Sequence, residues 1–287
     1  MYFLKKYRRG IKNKYYRGMP VTEMFLKDIL FQVKEIKNFF KNGFKSKTIL
    51  IYPHFPSRRA VIYKICNALN YNITNKLDND FDLVLYYEYR TYRKDFEALE
   101  KLQGKKVVNL YSRNIGKEYV DEMHQKIFGY STRLSPKEYV GPLVKKSLIN
   151  AIHDGEVING PIDKIEEGFI YQKLIDNGVE GNRVRDIRVP VINYEIPFIY
   201  YRYRNIDSRF KDIGESTMQQ VNDELSDEEV KKILEFCRAI NFEFGELDVL
   251  RDNQDGKIYI VDVNNTPNGP SYLRNEEEKA NAVGQLS

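Results

Sequence analysis

Gly245-Glu246-Leu247-Asp248-Val249-Leu250, the turn Asp252-Asn253-Gln254-Asp255-Gly256, and Ile258-Tyr259-Ile260-Val261-Asp262-Val263-Asn264-Asn265-Thr266-Pro267 decide how this chain reads. Two apolar runs separated by a Gly-containing turn predict a β-hairpin. Side chains alternate along a strand, so Asp262 and Asn264 fall on one face. If the two runs pair, Asp248 approaches that face from the neighbouring strand. Two carboxylates and an amide oxygen, with no Cys or His nearby, form a hard-oxygen set suited to Mg²⁺ or Mn²⁺ shared with phosphates. A surface hairpin whose Asp and Asn residues simply favour turns is the plain alternative.

The composition permits a folded enzyme. A chain of 287 residues holds one large domain or two to three small ones, and its 42% apolar and 30% charged residues are an ordinary balance. No apolar run approaches the roughly 20 residues of a membrane span. Met1-Tyr2-Phe3-Leu4 runs at once into Lys5-Lys6, which leaves no signal-peptide core, and a cytoplasmic protein is expected. Cys66 and Cys237 both sit in helical patterns and read as buried free thiols, without a disulfide or zinc site. His54, His124 and His153 are too scattered for a metal cluster.

Charge is uneven. Residues 1–47 hold thirteen Lys or Arg and three acidic residues, a balance of +10, so the remaining residues sum to −5 within the chain's +5. Lys5-Lys6-Tyr7-Arg8-Arg9 and Lys12-Asn13-Lys14-Tyr15-Tyr16-Arg17 interleave cations with aromatics, a pattern suited to anionic lipid or to nucleic acid. With no nucleic-acid motif beside the arm, specific nucleic-acid binding is not expected and peripheral membrane contact ranks ahead of it. A solvated arm without a partner fits equally well.

The chain divides by pattern into a basic helical arm (1–47), a parallel α/β domain (48–114), a larger α+β region (115–274) and a flexible tail (275–287). Within the arm, residues 22–42 form an amphipathic helix whose Phe25, Ile29, Leu30, Val33, Ile36 and Phe40 are expected to pack on the core. Strands over 48–52, 81–87 and 106–110 alternate with helices over 57–69 and 94–102. The first loop, His54-Phe55-Pro56-Ser57-Arg58-Arg59, lacks a dinucleotide glycine pattern. Its Ser57 at a helix N-terminus suits an anionic substrate or a plain surface cap. Further on come a helix over 117–128, a strand over 143–146, and a hairpin over 150–161 turning at His153-Asp154-Gly155. Strands over 168–175, 186–193 and 198–204 follow, then a helix over 226–241 with Ser226 and Glu229 as its capping box.

Lys117 at a helix start, Lys146 on a strand, Tyr171-Gln172-Lys173-Leu174-Ile175-Asp176, Asp186-Ile187-Arg188, Arg202-Tyr203-Arg204 and the acid hairpin occur in that order. Together they resemble the ATP-grasp superfamily, most closely its carboxylate–amine ligases of the ribosomal-protein glutamate-ligase type, over roughly 115–270. The resemblance implies an ATP-grasp fold of two α+β subdomains preceded by the α/β domain. It implies Lys117 and Lys146 on the nucleotide phosphates, with Lys145 as the rival for Lys146. Gln172, Lys173 and Leu174 would meet adenine, and Asp176 would meet ribose or serve only as a loop residue. Arg188 and Arg204 would face the reacting phosphate, with Arg202 as the alternative to Arg204. Asp248, Asp262 and Asn264 would hold Mg²⁺ or Mn²⁺.

Two departures stand out. Asp262 replaces the family's usual Glu, and the loop after Lys146 carries only Gly155 and Gly160, so the phosphate lid is expected to differ in shape, with His153 in it. The implied chemistry is ATP-driven amide or peptide bond formation through an acyl-phosphate, on a small-molecule, peptide or glycan-precursor substrate. The tyrosine count of 22 would suit stacking on such a substrate, or simply an AT-rich genome. The rival readings are an ATP-grasp kinase acting on a hydroxyl, and a basic binding module with a decayed nucleotide site.

Overall fold

The computed structural model describes residues 47–269 apart from 103, 151, 153 and 211–213, with residues 22, 26, 29, 30, 32, 33, 36, 37 and 40 and residues 282, 284 and 285. Strand β1 (Thr48–Pro53) opens the first unit. Its Ile49, Leu50 and Ile51 are all buried, as a strand covered on both faces requires. Helix α1 (Val61–Leu69), β2 (Asn72–Thr74), β3 (Leu83–Tyr87), the single-turn α2 (Glu97–Glu100) and β4 (Val107–Val108) complete a parallel sheet of order β2-β1-β3-β4. The expected α/β layer is therefore present. Helix α1, however, starts four residues later than the sequence pattern suggests. Ser57 lies in the turn before it, accepting the Ala60 N–H at 3.0 Å through its carbonyl, and the Val61 N–H is taken by the Pro267 carbonyl at 2.9 Å. Ser57 thus does not cap a helix, contrary to the sequence pattern.

Helix α3 (Lys117–Phe128) runs as the sequence predicts. It precedes an antiparallel sheet of order β6-β5-β7, built from β5 (Gly141–Ser147), β6 (Glu156–Gly160) and β7 (Phe169–Lys173). The hairpin expected over 150–161 is corrected here. Glu156–Gly160 does form a strand, but it pairs with Gly141–Lys145, and residues 148–155 are the connection. His153 lies outside the described residues.

The second antiparallel sheet contains β9 (Arg183–Ile192), β10 (Ile199–Asn205), β11 (Glu215–Gln219), β12 (Phe244–Arg251) and β13 (Ile258–Asn264) in the order β11-β10-β9-β12-β13, with β8 (Gly178–Val179) on β9. Helix α4 (Asp227–Ala239) enters this region through the anticipated capping box, where the Ser226 hydroxyl accepts the Glu229 N–H and the Glu229 carboxylate accepts the Ser226 N–H. One sheet face is apolar. Ile187, Val189, Val191, Leu247, Val249 and Val263 pack with Val120 of α3 and with Ile233 and Phe236 of α4 in one core. Period-two alternation leaves the opposite face of the same strands polar, and that face is the candidate site.

The α/β domain packs on this sheet through a shared cluster in which Val61, Ile65 and Tyr87 meet Phe198, Tyr200 and Phe244, and the Asn109 side chain adds a polar latch. Asn109 accepts the Glu243 and Phe244 N–H groups at 2.8 and 3.0 Å through Oδ1 and donates to the Phe244 carbonyl at 2.6 Å. Lys106 pairs with Glu243 at 2.9 Å beside it.

The helix expected over 22–42 is corrected in its packing. Each described residue from 22 to 40 is helical and exposed rather than buried in the core, although Ile36 and Phe40 line a cavity with Cys66, Asn67, Asn70 and Tyr71; Phe25 lies outside the described residues. The first 21 residues of the arm lie outside the described residues. Of the tail, Ala282 is helical and fully buried against the cluster around Val61 and Phe198. Among the described residues no helix is long and apolar enough to cross a membrane.

Candidate functional site

The hairpin pairs as its alternation requires. Asp248 lies directly opposite Asp262, and Glu246 opposite Asn264. On the other side of β12, Asp248 pairs with Arg188 of β9, and Arg188 with Tyr200 of β10. Asp248, Asp262, Asn264, Arg188 and Glu246 therefore share one face, together with Asp186 and Arg204.

Within that face the charges are interlocked. Arg188 bonds Asp248, lies 3.4 Å from Glu246 and 3.9 Å from Asp186, and Arg204 also pairs with Asp186. Arg188 is only 7% exposed. Burial opposes its charge, but Asp248, Glu246 and Asp186 outweigh that and hold its pKa above the ordinary value. The Nε atoms of Arg188 and Arg204 are buried and make no hydrogen bond among the described residues.

Asp262 is the group left open. Its Oδ1 is buried and has no hydrogen-bond partner among the described residues. Burial, reinforced by the Asp248 charge, pushes its pKa up to about 6, against the pull of Lys117, Lys146 and Arg188. A buried carboxylate oxygen without a donor is costly unless a cation meets it. Asn264 contributes an amide oxygen that now accepts the Thr266 N–H at 3.0 Å. No group of three or more His, Cys, Asp or Glu suited to a metal occurs among the described residues. A cation here would draw on two carboxylates and one amide, with its other positions filled from elsewhere. That donor set fits a hard divalent ion that keeps water or phosphate ligands.

The three-stranded sheet supplies cations to the same place. Lys146 feels Asp262, Lys117, Asp186 and Asp248, and burial, with Lys117 adding to it, lowers its pKa to about 8 despite the carboxylates. Its neighbour Lys145 points to the other face, where it pairs with Glu166 at 2.6 Å and Glu156 at 3.2 Å. Of the two lysines, Lys146 is therefore the one that lies among the charges of the acid strands. Lys117, at the start of α3, donates to the Asn150 side chain at 3.0 Å and to the Ile149 carbonyl at 3.2 Å. Asn150 in turn donates to the Val263 carbonyl at 3.4 Å, tying the β5–β6 connection to the acid strand.

Gln172, Lys173, Leu174 and Asp176 lie at the end of β7 and just past it. Gln172 is 3% exposed, donates to the Thr132 hydroxyl at 2.6 Å, and leaves its buried Oε1 without a partner among the described residues. The Lys173 ammonium is directed to Asp252 at 2.5 Å and Asp255 at 3.6 Å. Asp176 is exposed, and its carboxylate accepts from the Gly178 N–H at 3.2 Å and the Asn253 amide at 3.3 Å.

Three residues of this face escape the sequence reading. Glu246 is buried and bonded by the Tyr200 hydroxyl and by Arg188. Asp186 joins the two arginines. Period two gives a signal for both carboxylates, because Glu246 precedes Asp248, and Asp186 precedes Arg188, by two positions. Asn150 has no such signal, since only the connection's path brings it to Lys117.

No family model matches the chain, and no curated protein matches it. Solved structures do. The D-alanine–D-alanine ligase from Bacillus anthracis complexed with ATP matches with a TM-score of 0.52 at 15% identity, over 83% of this chain and 91% of that one. The ATP-grasp ligase PsnB complexed with the precursor peptide PsnA2 and AMPPNP gives 0.53 at 11% identity, over 84% of this chain and 97% of that one. By this likeness the chain has the ATP-grasp fold.

Proposed function

We propose that this chain is an ATP-dependent carboxylate–amine ligase whose nucleotide lies between the β6-β5-β7 sheet and the polar face of the larger sheet. The observation that carries this reading is the unpartnered Asp262 oxygen on one sheet, with the partly buried Lys146 of the other within its electrostatic reach. An anion and a hard cation placed together would satisfy both at once, which is what a metal–triphosphate complex supplies. In this reading Lys146 and Lys117 hold the phosphates, Gln172 to Leu174 meet adenine, and Asp176 takes the ribose in exchange for its present loop bonds. Arg188 and Arg204 face the terminal phosphate from the floor of the cleft. Asp248, Asp262 and Asn264 would hold Mg²⁺, or Mn²⁺ in its place, which when bound would neutralise phosphate charge.

The reaction needs no side-chain nucleophile. A substrate carboxylate oxygen attacks the terminal phosphorus of ATP, ADP leaves, and an acyl-phosphate forms. An amine then attacks the acyl carbon, inorganic phosphate departs, and an amide remains. Positioning and fixed charge account for such catalysis. The peptide complex of PsnB supports a peptide as one substrate class. A small molecule or glycan precursor carrying a carboxylate satisfies the same chemistry.

Incubation with ATP, Mg²⁺, hydroxylamine and a panel of carboxylate peptides tests the proposal. Hydroxamate formation with stoichiometric ADP release is the expected result. ADP release with a stable phosphorylated hydroxyl and no hydroxamate would instead identify a kinase.

A further inference from the structure

We propose that Asp121 and Thr132 select the nucleobase by fixing the direction of the Gln172 amide. With its oxygen held toward the base, Gln172 favours a purine that donates a hydrogen bond at its six-position over one that accepts there. Asp121 and Thr132 would touch no nucleotide themselves, and their role as positioning residues rests on the ATP site proposed for this cleft.

The direction of each hydrogen bond follows from the protons available. Asp121, on α3, is 2% exposed, and its Oδ1 accepts both the Thr132 N–H at 2.8 Å and the Thr132 hydroxyl at 2.5 Å. A hydroxyl has one proton to give. With that proton on Asp121, the Thr132 oxygen can only accept, so the Gln172 group 2.6 Å from it is the amide nitrogen. Thr132 is itself held beside β7, where its carbonyl accepts the Lys173 N–H at 2.6 Å. The Gln172 oxygen is left as a buried acceptor with no hydrogen-bond partner among the described residues.

Register puts this side chain on the nucleotide side of its sheet. Gln172 stands opposite Val144 in the β5–β7 ladder, and partners across a ladder share a face. Val144 precedes Lys146 by two positions, so Gln172 lies on the face that carries Lys146. A buried amide oxygen without a donor is costly until a ligand N–H meets it. The six-amino group of adenine supplies that donor, whereas guanine and hypoxanthine carry a carbonyl oxygen there. Gln172 alone would not discriminate, because a free amide turns over and offers its NH₂ group instead. The bonds from Thr132 and Asp121 remove that second orientation.

Dissociation constants for the Mg²⁺ complexes of ATP and of ITP, whose base carries the six-position carbonyl, test this on the wild type, Thr132→Val and Thr132→Ser. The wild type should bind ATP at least about tenfold more tightly than ITP. Thr132→Val keeps the side-chain shape but frees the amide, and should bring the two constants within about twofold. Thr132→Ser keeps the hydroxyl and should restore the preference. Gln172→Met, which removes the oriented oxygen, should also lose the preference, and it keeps the test open should Thr132→Val unfold. A merely structural Thr132 would weaken both nucleotides in parallel. An unchanged ratio in Thr132→Val or Gln172→Met therefore overturns the proposal, as does a wild type that binds ATP and ITP equally. A wild type that binds neither contradicts the nucleotide site itself, and base selection falls with it.

Discussion

At the scale of single residues, His124 offers the cleanest pH dependence. Its ring is fully buried, neither nitrogen has a hydrogen-bond partner among the described residues, and it stacks on Phe128 with centroids 4.3 Å apart. Tyr130 and Tyr259 close the cage. Burial lowers its pKa to about 4, with Asp121 pulling weakly the other way. The folded state therefore prefers the neutral ring, whereas the unfolded chain protonates near pH ~6.5. Stability from this residue is complete above about pH 6.5 and is lost as pH falls toward 4, up to about 3 kcal/mol. His124→Phe should remove that component. Between pH 7 and pH 5 the urea midpoint of the wild type should fall relative to that of the variant. A constant difference between them would show that His124 is not the titrating group.

Glu246 gives a second residue-scale prediction. It accepts from the Tyr200 hydroxyl and from Arg188 while only 4% exposed. Removing one partner of a buried charged network leaves the other uncompensated, so Glu246→Ala should cost about 3 kcal/mol in denaturant unfolding. A loss under about 1 kcal/mol would mean that Asp248 alone satisfies Arg188.

Among the elements, the hairpin and α4 were legible because each carries a strong local pattern. Alternation in β13 fixed the face of Asp262 and Asn264, and Ser226 with Glu229 marked the start of α4. Ser226→Ala should therefore cost about 1 kcal/mol of unfolding free energy. An unchanged stability would show that the acidic first turn holds this terminus without the hydroxyl. Strands β2 and β11 were not legible. Glu215-Ser216-Thr217-Met218-Gln219 is an edge strand with no apolar alternation, and Asn72-Ile73-Thr74 is too short to show one. The connection over 148–155 was misread for a related reason: Asp154-Gly155 signals a turn but does not say how far from it the strands begin. Gly245 shows how closely the site strands meet. A Cβ there would lie 2.5 Å from the Asn264 carbonyl oxygen and 2.2 Å from the Phe242 ring. Gly245→Ala should loosen the β12–β13 pairing and weaken nucleotide-induced stabilisation together. Loss of one without the other would separate the hairpin from the site.

For the whole molecule, the sequence showed which pieces exist more clearly than how they dock. The apolar stripe of residues 22–40 has the same periodicity whether it is buried or exposed, so pattern alone could not tell the two apart. The Asn109 latch is likewise invisible in sequence, since its partners lie 134 and 135 positions away. The polar cleft, by contrast, was foreshadowed residue by residue. Lys146, Arg188, Asp248 and Asp262 come from four strands in two sheets and meet within electrostatic reach. That convergence is the account's central claim.

Thermal unfolding with and without ATP and Mg²⁺, on the wild type and on Asp262→Asn/Asn264→Ala, tests it most directly. Ligand at about 100 times its dissociation constant should add roughly 2.7 kcal/mol, seen as a higher midpoint. The predicted result is a Mg²⁺-dependent rise in the wild type that the double variant loses. No rise in the wild type, or an equal rise in the variant, would contradict the assignment of this cleft as the nucleotide site.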